Sequence, residues 1–99
     1  MPDTSKLQIY SIERENADGG VCIVRCIGGI ARIGQDFLKQ GEEPEATIRR
    51  FTLNRIVRYS RNVEFFDPPH NARVHLTGRS LDGLSEGSVL VSFDEETQS

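Results

Sequence analysis

The amino-acid sequence predicts an all-β fold, a barrel or a sandwich of six or seven short strands. Three observations support this prediction: apolar residues recur with a period of two, turn-forming residues interrupt the chain at short intervals, and no long amphipathic helix pattern is present. A chain of 99 residues has room for one hydrophobic core. We therefore expect a flexible N-terminus over residues 1–5, a single β domain over residues 6–93 and an acidic flexible tail over residues 94–99.

The first half of the chain contains four strand candidates. Residues 7–12 alternate imperfectly, and the sequence Asp18-Gly19-Gly20 predicts a turn before the β-branched residues 21–27. Gly28 and Gly29 predict a break or a bulge in this second strand, because glycine weakens a strand interior. Residues 30–33 predict a short strand, and Gly34 is suited to a tight turn before the segment that contains Phe37 and Leu38. Residues 41–45 form an acidic loop.

The second half contains three further candidates. Residues 47–58 carry arginine on both faces of an extended chain, which predicts a bulge near Asn54 or Arg55 that resets the register. Residues 67–71 contain two prolines and predict a turn. Residues 72–77 alternate most clearly, and residues 89–93 predict the last strand. Between these two strands, Leu81 and Leu84 suggest one short helical turn.

Composition and charge exclude several classes of protein. Hydrophobic residues make up 36% and charged residues 27%, which argues against disorder. No apolar run approaches the roughly 18 residues of a membrane helix, and the first residues lack the apolar core of a signal peptide, so we expect a cytoplasmic protein without a membrane partner. The net charge is −3, yet residues 46–79 contain seven arginines against Glu64 and Asp67.

Two segments resemble a known pattern. Residues 29–37, GIARIGQDF, and residues 72–78 with 84–90, ARVHLTG and LSEGSVL, resemble the signature of translation-factor β-barrels, the second domain of elongation factor Tu and its relatives. The order of both halves is that of the family over residues 7–93. The resemblance implies that residues 6–93 form a small antiparallel β-barrel of six or seven strands, closed or nearly closed, with a binding role related to translation. We expect this barrel to stand alone without a GTPase domain, or to be excised from a larger chain.

The sequence departs from that family at three points. Pro68 and Pro69 replace a glycine, and Val57 falls where elongation factor Tu carries a glutamate. No phosphate-loop motif is present, so we expect neither GTP binding nor GTP hydrolysis. Binding of the aminoacylated end of tRNA, a function of this barrel in elongation factor Tu, is not supported residue by residue.

Metal, redox and catalytic sites are not expected. Cys22 and Cys26 lie on one face of a strand but about 13 Å apart, too far for a disulfide or a shared metal. His70 and His75 lack the third ligand that zinc needs. No G-x-S-x-G motif is present, so a small enzyme is the least favoured function. We predict no catalytic residue, no metal site and no cofactor.

The arginine-rich strand is the candidate functional feature. Arg50, Arg55, Arg58 and Arg61 are interleaved with Phe51 and Tyr59, a combination of cations and aromatic rings that suits RNA. Two alternative explanations are a solvated barrel exterior, with the arginines paired to Glu42, Glu43 and Glu45, and contact with an acidic protein surface. We predict a non-catalytic binding module that docks on a protein or ribonucleoprotein partner. Direct binding of RNA or tRNA is the alternative function, and no DNA specificity is evident.

Overall fold

The computed structural model describes residues 4–41 and 50–93 and contains nine strands in this part of the chain. The strands are β1 (Lys6–Asn16), β2 (Gly19–Gly28), β3 (Ala31–Arg32), β4 (Asp36–Lys39), β5 (Phe51–Arg58), β6 (Arg61–Val63), β7 (Phe65–Phe66), β8 (Asn71–Thr77) and β9 (Val89–Phe93). The predicted all-β fold is therefore confirmed. The predicted tail and the residues of the acidic loop after Gly41 lie outside the described residues.

Six strands close into an antiparallel barrel. They follow the order β4-β9-β1-β2-β8-β5, and β5 returns to pair with β4. This closure is short, since only Asp36 with Thr52 and Phe37 with Phe51 are paired across it. The Thr52 hydroxyl also donates a hydrogen bond of 2.7 Å to the Asp36 carboxylate at this seam. Strand β6 extends the sheet beyond β5, and β3 pairs with β7 in a separate two-stranded ribbon.

The core lies inside the barrel because alternate residues of each strand point inward. Cys22 and Cys26 of β2 are both fully buried, as are Val74 of β8 and Ile9 of β1. The largest buried side chains are Phe37, Phe51 and Phe66. Alternation in the sequence therefore identified the buried face of the main strands.

The bulge that the sequence predicts near Asn54 or Arg55 is confirmed. Leu53 pairs with Leu76 and Arg55 pairs with His75, so that Asn54 is the extra residue on β5. Both Asn54 and Arg55 are exposed as a result, whereas Ile56 returns to the core.

Several boundaries differ from the sequence-based prediction. Strand β1 extends to Asn16, because it forms a long hairpin with β2 in which register shifts accommodate its imperfect alternation. Gly19 and Gly20 belong to β2 rather than to the turn. At both positions neighbouring main-chain atoms occupy the space of a Cβ, which explains the glycines. Ser5, assigned to the N-terminal segment, is buried, and its main chain is hydrogen-bonded to Ser92.

The predicted helical turn at Leu81 and Leu84 is a single hydrogen-bonded turn. The amide of Leu84 donates to the carbonyl of Leu81 over 2.9 Å, but Gly83 has a φ of +94°, which a right-handed helix does not allow. Leu81 is nevertheless fully buried. Two short strands, β6 and β7, were not predicted, since they have too few residues to show a period.

Candidate functional site

An open groove of about 480 Å3 runs over the outer face of β2, β8 and β5 and ends at the β5–β6 hairpin. We call it the arginine groove. Its walls carry three arginines, an exposed tyrosine and a histidine. The groove is lined by Ile23, Arg25, Val57, Arg58, Tyr59, Ser60, Pro69, His70, Asn71, Ala72 and Arg73.

The register of the sheet explains which side chains meet there. Arg73 of β8 is the cross-strand partner of Ile23 on β2 and of Val57 on β5. Arg25 is in the next row and pairs with Asn71. Because paired residues point to the same face of a sheet, these side chains meet on the outside of the barrel, opposite the buried Val74 and Val24.

The β5–β6 hairpin places Tyr59 at the rim of the arginine groove. Arg58 pairs with Arg61, and the two residues between them, Tyr59 and Ser60, have φ angles of 52° and 65°. Positive φ at both central positions is typical of a type I′ turn, which favours asparagine and glycine. In the left-handed region a side chain such as tyrosine is strained by about 1 kcal/mol. Tyr59 is 86% exposed, so burial of its side chain does not offset this strain.

The guanidinium of Arg58 supports this ring. Its Cζ lies 5.0 Å from the centroid of Tyr59, a cation–π distance. Arg61 is the direct cross-strand neighbour of Arg58, and like charges at such positions destabilise a sheet. The hairpin thus combines a strained turn, an exposed aromatic ring and two adjacent cations.

Arg25 forms the opposite wall. Its Nε donates a hydrogen bond of 3.1 Å to the carbonyl oxygen of Pro69, and its Cζ lies 5.9 Å from the ring centroid of Tyr10. Both contacts hold the side chain in place. Its terminal nitrogens make none of the hydrogen bonds found within residues 4–41 and 50–93, so they are available to a ligand.

Arg73 contributes less net charge. Its Nε and Nη2 donate to the two carboxylate oxygens of Glu13 over 2.7 and 3.3 Å. The hydrogen bond from Arg73 holds the pKa of Glu13 below its usual value. His70 Nδ1 lies 3.1 Å from the Asp67 carboxylate. The positive charge of the arginine groove therefore comes mainly from Arg25 and Arg58.

The structure divides the four arginines that the sequence singles out. Arg58 and Arg61 lie together at the hairpin, and Arg55 lies on the outer face two residues from Val57. Arg50 precedes the opposite end of β5, roughly 25 Å away along an extended strand, and its guanidinium is 3.7 Å from the Asp36 carboxylate. Of the four, Arg58 lines the arginine groove and Arg61 is its cross-strand neighbour, whereas Arg55 lies beside His75 and Arg50 lies at the far end of β5.

Sequence reasoning did not single out Arg25 and Arg73 as site residues. The alternation of residues 72–77 already indicated that Arg73 and His75 share the outer face of β8. No comparable signal existed for Arg25, because its place in the groove depends on the pairing of β2 with β8.

The two cysteines are buried and unbridged. Burial raises the pKa of the Cys22 thiol to about 12, and it also raises the pKa of Cys26. Thiols that remain protonated are poor nucleophiles and poor metal ligands. Among the described residues, no three His, Cys, Asp or Glu side chains converge as a metal site.

The described part of the chain contains no helix long and apolar enough to cross a membrane.

Comparison with known proteins shows similarity to solved structures. Searches of protein-family models and of curated proteins found no match. Among solved structures, the crystal structure of GDP-bound aIF5B from Aeropyrum pernix, a translation factor, is similar with a TM-score of 0.76 and 23% sequence identity. The alignment covers 93% of this chain and 15% of the aIF5B chain. This chain therefore has the fold of a translation-factor β-barrel.

Proposed function

We propose that this protein is a non-catalytic binding module that docks on a ribonucleoprotein partner through RNA held in the arginine groove. The observation that carries the proposal is the position of Tyr59, an exposed ring in a strained turn, supported by Arg58 and facing Arg25 across the groove. RNA-binding surfaces combine cations for the phosphates with aromatic planes on which unpaired bases stack. Similarity to a translation-factor fold supports a role related to translation.

The geometry favours a single-stranded segment over a duplex. A groove of about 480 Å3 is within the range of small-ligand sites and accommodates one nucleotide rather than a double helix. A base can stack on the exposed face of the Tyr59 ring only if it is not already stacked between its neighbouring bases. A loop, a bulge or a chain end of an RNA meets this requirement.

Fluorescence anisotropy of a labelled single-stranded RNA of about 12 nucleotides, with a labelled tRNA in parallel, tests the proposal across about 50 to 200 mM salt. We expect saturable binding that weakens in Arg58→Gln/Arg61→Gln. Losing two phosphate contacts should reduce the slope of log affinity against log salt by about 1.4. The matched control is Arg32→Gln/Lys39→Gln, which removes the same charge from β3 and β4, away from the groove.

Equal weakening by the two double variants would show that net charge alone, and not the groove, attracts RNA. Absence of binding at low salt would overturn the RNA proposal.

A protein partner is the second candidate, favoured by the exposed apolar surface of the β3–β7 ribbon. Phe65 is 55% and Ile33 is 44% exposed, and the main chains of Ile33 and Glu64 are hydrogen-bonded, which places these side chains together. Binding of a protein partner to this surface should depend little on salt and should be lost in Phe65→Ser. RNA binding should be unchanged in that variant.

A further inference from the structure

A second basic surface lies on the outer face, next to the arginine groove. Arg55 of β5 pairs with His75 of β8, His75 pairs with Val21 of β2, and Val21 pairs with Arg14 of β1. Paired residues point to the same face and adjacent strands are about 4.8 Å apart, so this row spans about 14 Å. We call Arg14, His75 and Arg55 the basic row.

A hollow of about 340 Å3 lies along the basic row. Arg14, His75 and Asn54 line it, and Arg55 flanks His75 from the β5 side. The bulge in β5 is what turns the Asn54 amide and the Arg55 guanidinium outward together. The hollow and the arginine groove share no lining residue.

The charges around His75 are predominantly positive. Burial lowers its pKa most, followed by the positive charges of Arg55, Arg73 and Arg14. Arg73 is balanced by its bond to Glu13, whereas Arg55 and Arg14 make none of the ion pairs found in the described part of the chain.

One acid, Asp18, also lines the hollow, at the turn between β1 and β2. The main-chain groups of Asp18 are already hydrogen-bonded. Its amide donates to the Asn16 side chain, and its carbonyl accepts a hydrogen bond from the Gly78 amide. The Asp18 carboxylate forms no ion pair within the described residues. Asp18 thus offsets Arg14 among the residues that line the hollow, and the excess positive charge comes from Arg55, which flanks His75.

We propose that the hollow between Arg14, Asn54 and His75, flanked by Arg55, binds a phosphate group. Arginine and protonated histidine donate charge-assisted hydrogen bonds to phosphate oxygens, and the Asn54 amide adds a neutral donor. The site is independent of the arginine groove and does not require that RNA binds there. A phosphate of a polynucleotide and a free phosphate have the same chemistry here.

Binding of an anion is coupled to the protonation of His75. A dianion beside the imidazole offsets the arginine charges and favours the imidazolium, so the pKa of His75 must rise when the site is filled. By linkage the affinity must increase as the pH falls, by up to about tenfold per pH unit between the free and bound pKa values.

NMR titration of the His75 Cε1–H resonance tests this directly. The probes are inorganic phosphate and sulfate, compared with chloride at equal ionic strength. Sulfate keeps the same charge over the pH range in which His75 titrates. The pH dependence of its affinity therefore reports the protonation of the protein alone. We expect both probes to raise the pKa of His75 relative to chloride. The increase should disappear in Arg14→Gln/Arg55→Gln and persist in the control Arg32→Gln.

A third titration with the single-stranded RNA distinguishes the sources. An increase in the pKa of His75 with RNA, but not with phosphate or sulfate, assigns the site to the phosphates of a polynucleotide. An increase with all three probes assigns it to phosphate in general. No change with any probe overturns the proposal, as does an increase that the double variant retains. If RNA binding is unchanged in Arg58→Gln/Arg61→Gln while phosphate still raises the pKa of His75, the proposed function is wrong and the phosphate site is supported.

Discussion

The guanidinium of Arg58 lies 5.0 Å from the ring centroid of Tyr59, the next residue in the chain. Neighbouring residues of a regular strand point to opposite faces, so this contact exists only because the chain turns at Tyr59 with a positive φ. The turn therefore orients the ring and the cation toward the same groove.

The first prediction concerns this turn. Replacing Tyr59 and Ser60 by Asn-Gly places residues suited to a type I′ turn at both positions of positive φ. We expect the free energy of unfolding to increase by about 1 kcal/mol, because left-handed strain is relieved. RNA affinity should decrease at the same time, because the stacking ring is lost. Urea unfolding and anisotropy measure the two effects, and Tyr59→Phe is the control that keeps the ring.

A loss of stability in the Asn-Gly variant would contradict the assignment of strain to this turn. Unchanged RNA affinity would contradict the stacking role of Tyr59.

The second prediction compares two glycines, Gly29 and Gly34, that both have positive φ. In Gly29→Ala the new Cβ would overlap the carbonyl oxygen of Thr4, so the N-terminal segment must move. In Gly34→Ala the Cβ meets nothing within 4 Å, and only the backbone strain of about 1 kcal/mol remains. Thermal unfolding should show a clearly larger loss for Gly29→Ala. Equal losses would mean that φ alone decides the cost.

The third prediction concerns the buried thiols. Both cysteines should react slowly with a thiol reagent in the folded protein, and Cys22 more slowly than Cys26, because burial raises the pKa of Cys22 to about 12. Both should react at the rate of a free thiol in urea. The single variants Cys22→Ala and Cys26→Ala separate the two rates. Rapid reaction of Cys22 in the native state would contradict its place in the core.

The fourth prediction is a pH dependence of stability that arises from His75. The pKa of this residue lies below 6.5 in the folded protein, so the unfolded chain takes up the proton more readily. The free energy of unfolding should therefore fall as the pH decreases from 6.5 toward the lower folded pKa, and this contribution should be level above 6.5. Urea unfolding of the wild type and of His75→Gln over this range isolates the effect.

The contribution of Glu13 is separable from that of His75. Its pKa is lowered from 4.5, so the stability that it provides is lost only at more acidic pH. Parallel pH curves for the wild type and His75→Gln would show that His75 is not the responsible group.

The sequence by itself determined the fold class and the buried face of the main strands. The alternation of residues 72–77 predicted a strand whose Ala72, Val74 and Leu76 are indeed buried. The lack of a cleanly apolar face in residues 47–58 predicted a bulge near Asn54 or Arg55, and the extra residue is Asn54. Both are local properties, because the direction of a side chain in a strand repeats every two residues and any departure is visible within the strand itself.

Only the tertiary structure decided which side chains meet in the arginine groove. Arg25, Arg58 and Arg73 come from three strands whose order, β2-β8-β5, is set by pairings between distant parts of the chain. Arg50 is separated from Arg58 by the length of β5, because Arg50 precedes the strand and Arg58 ends it. A period of two specifies the face on which a residue lies but not the neighbouring strand, since that choice depends on closing the barrel around a common core.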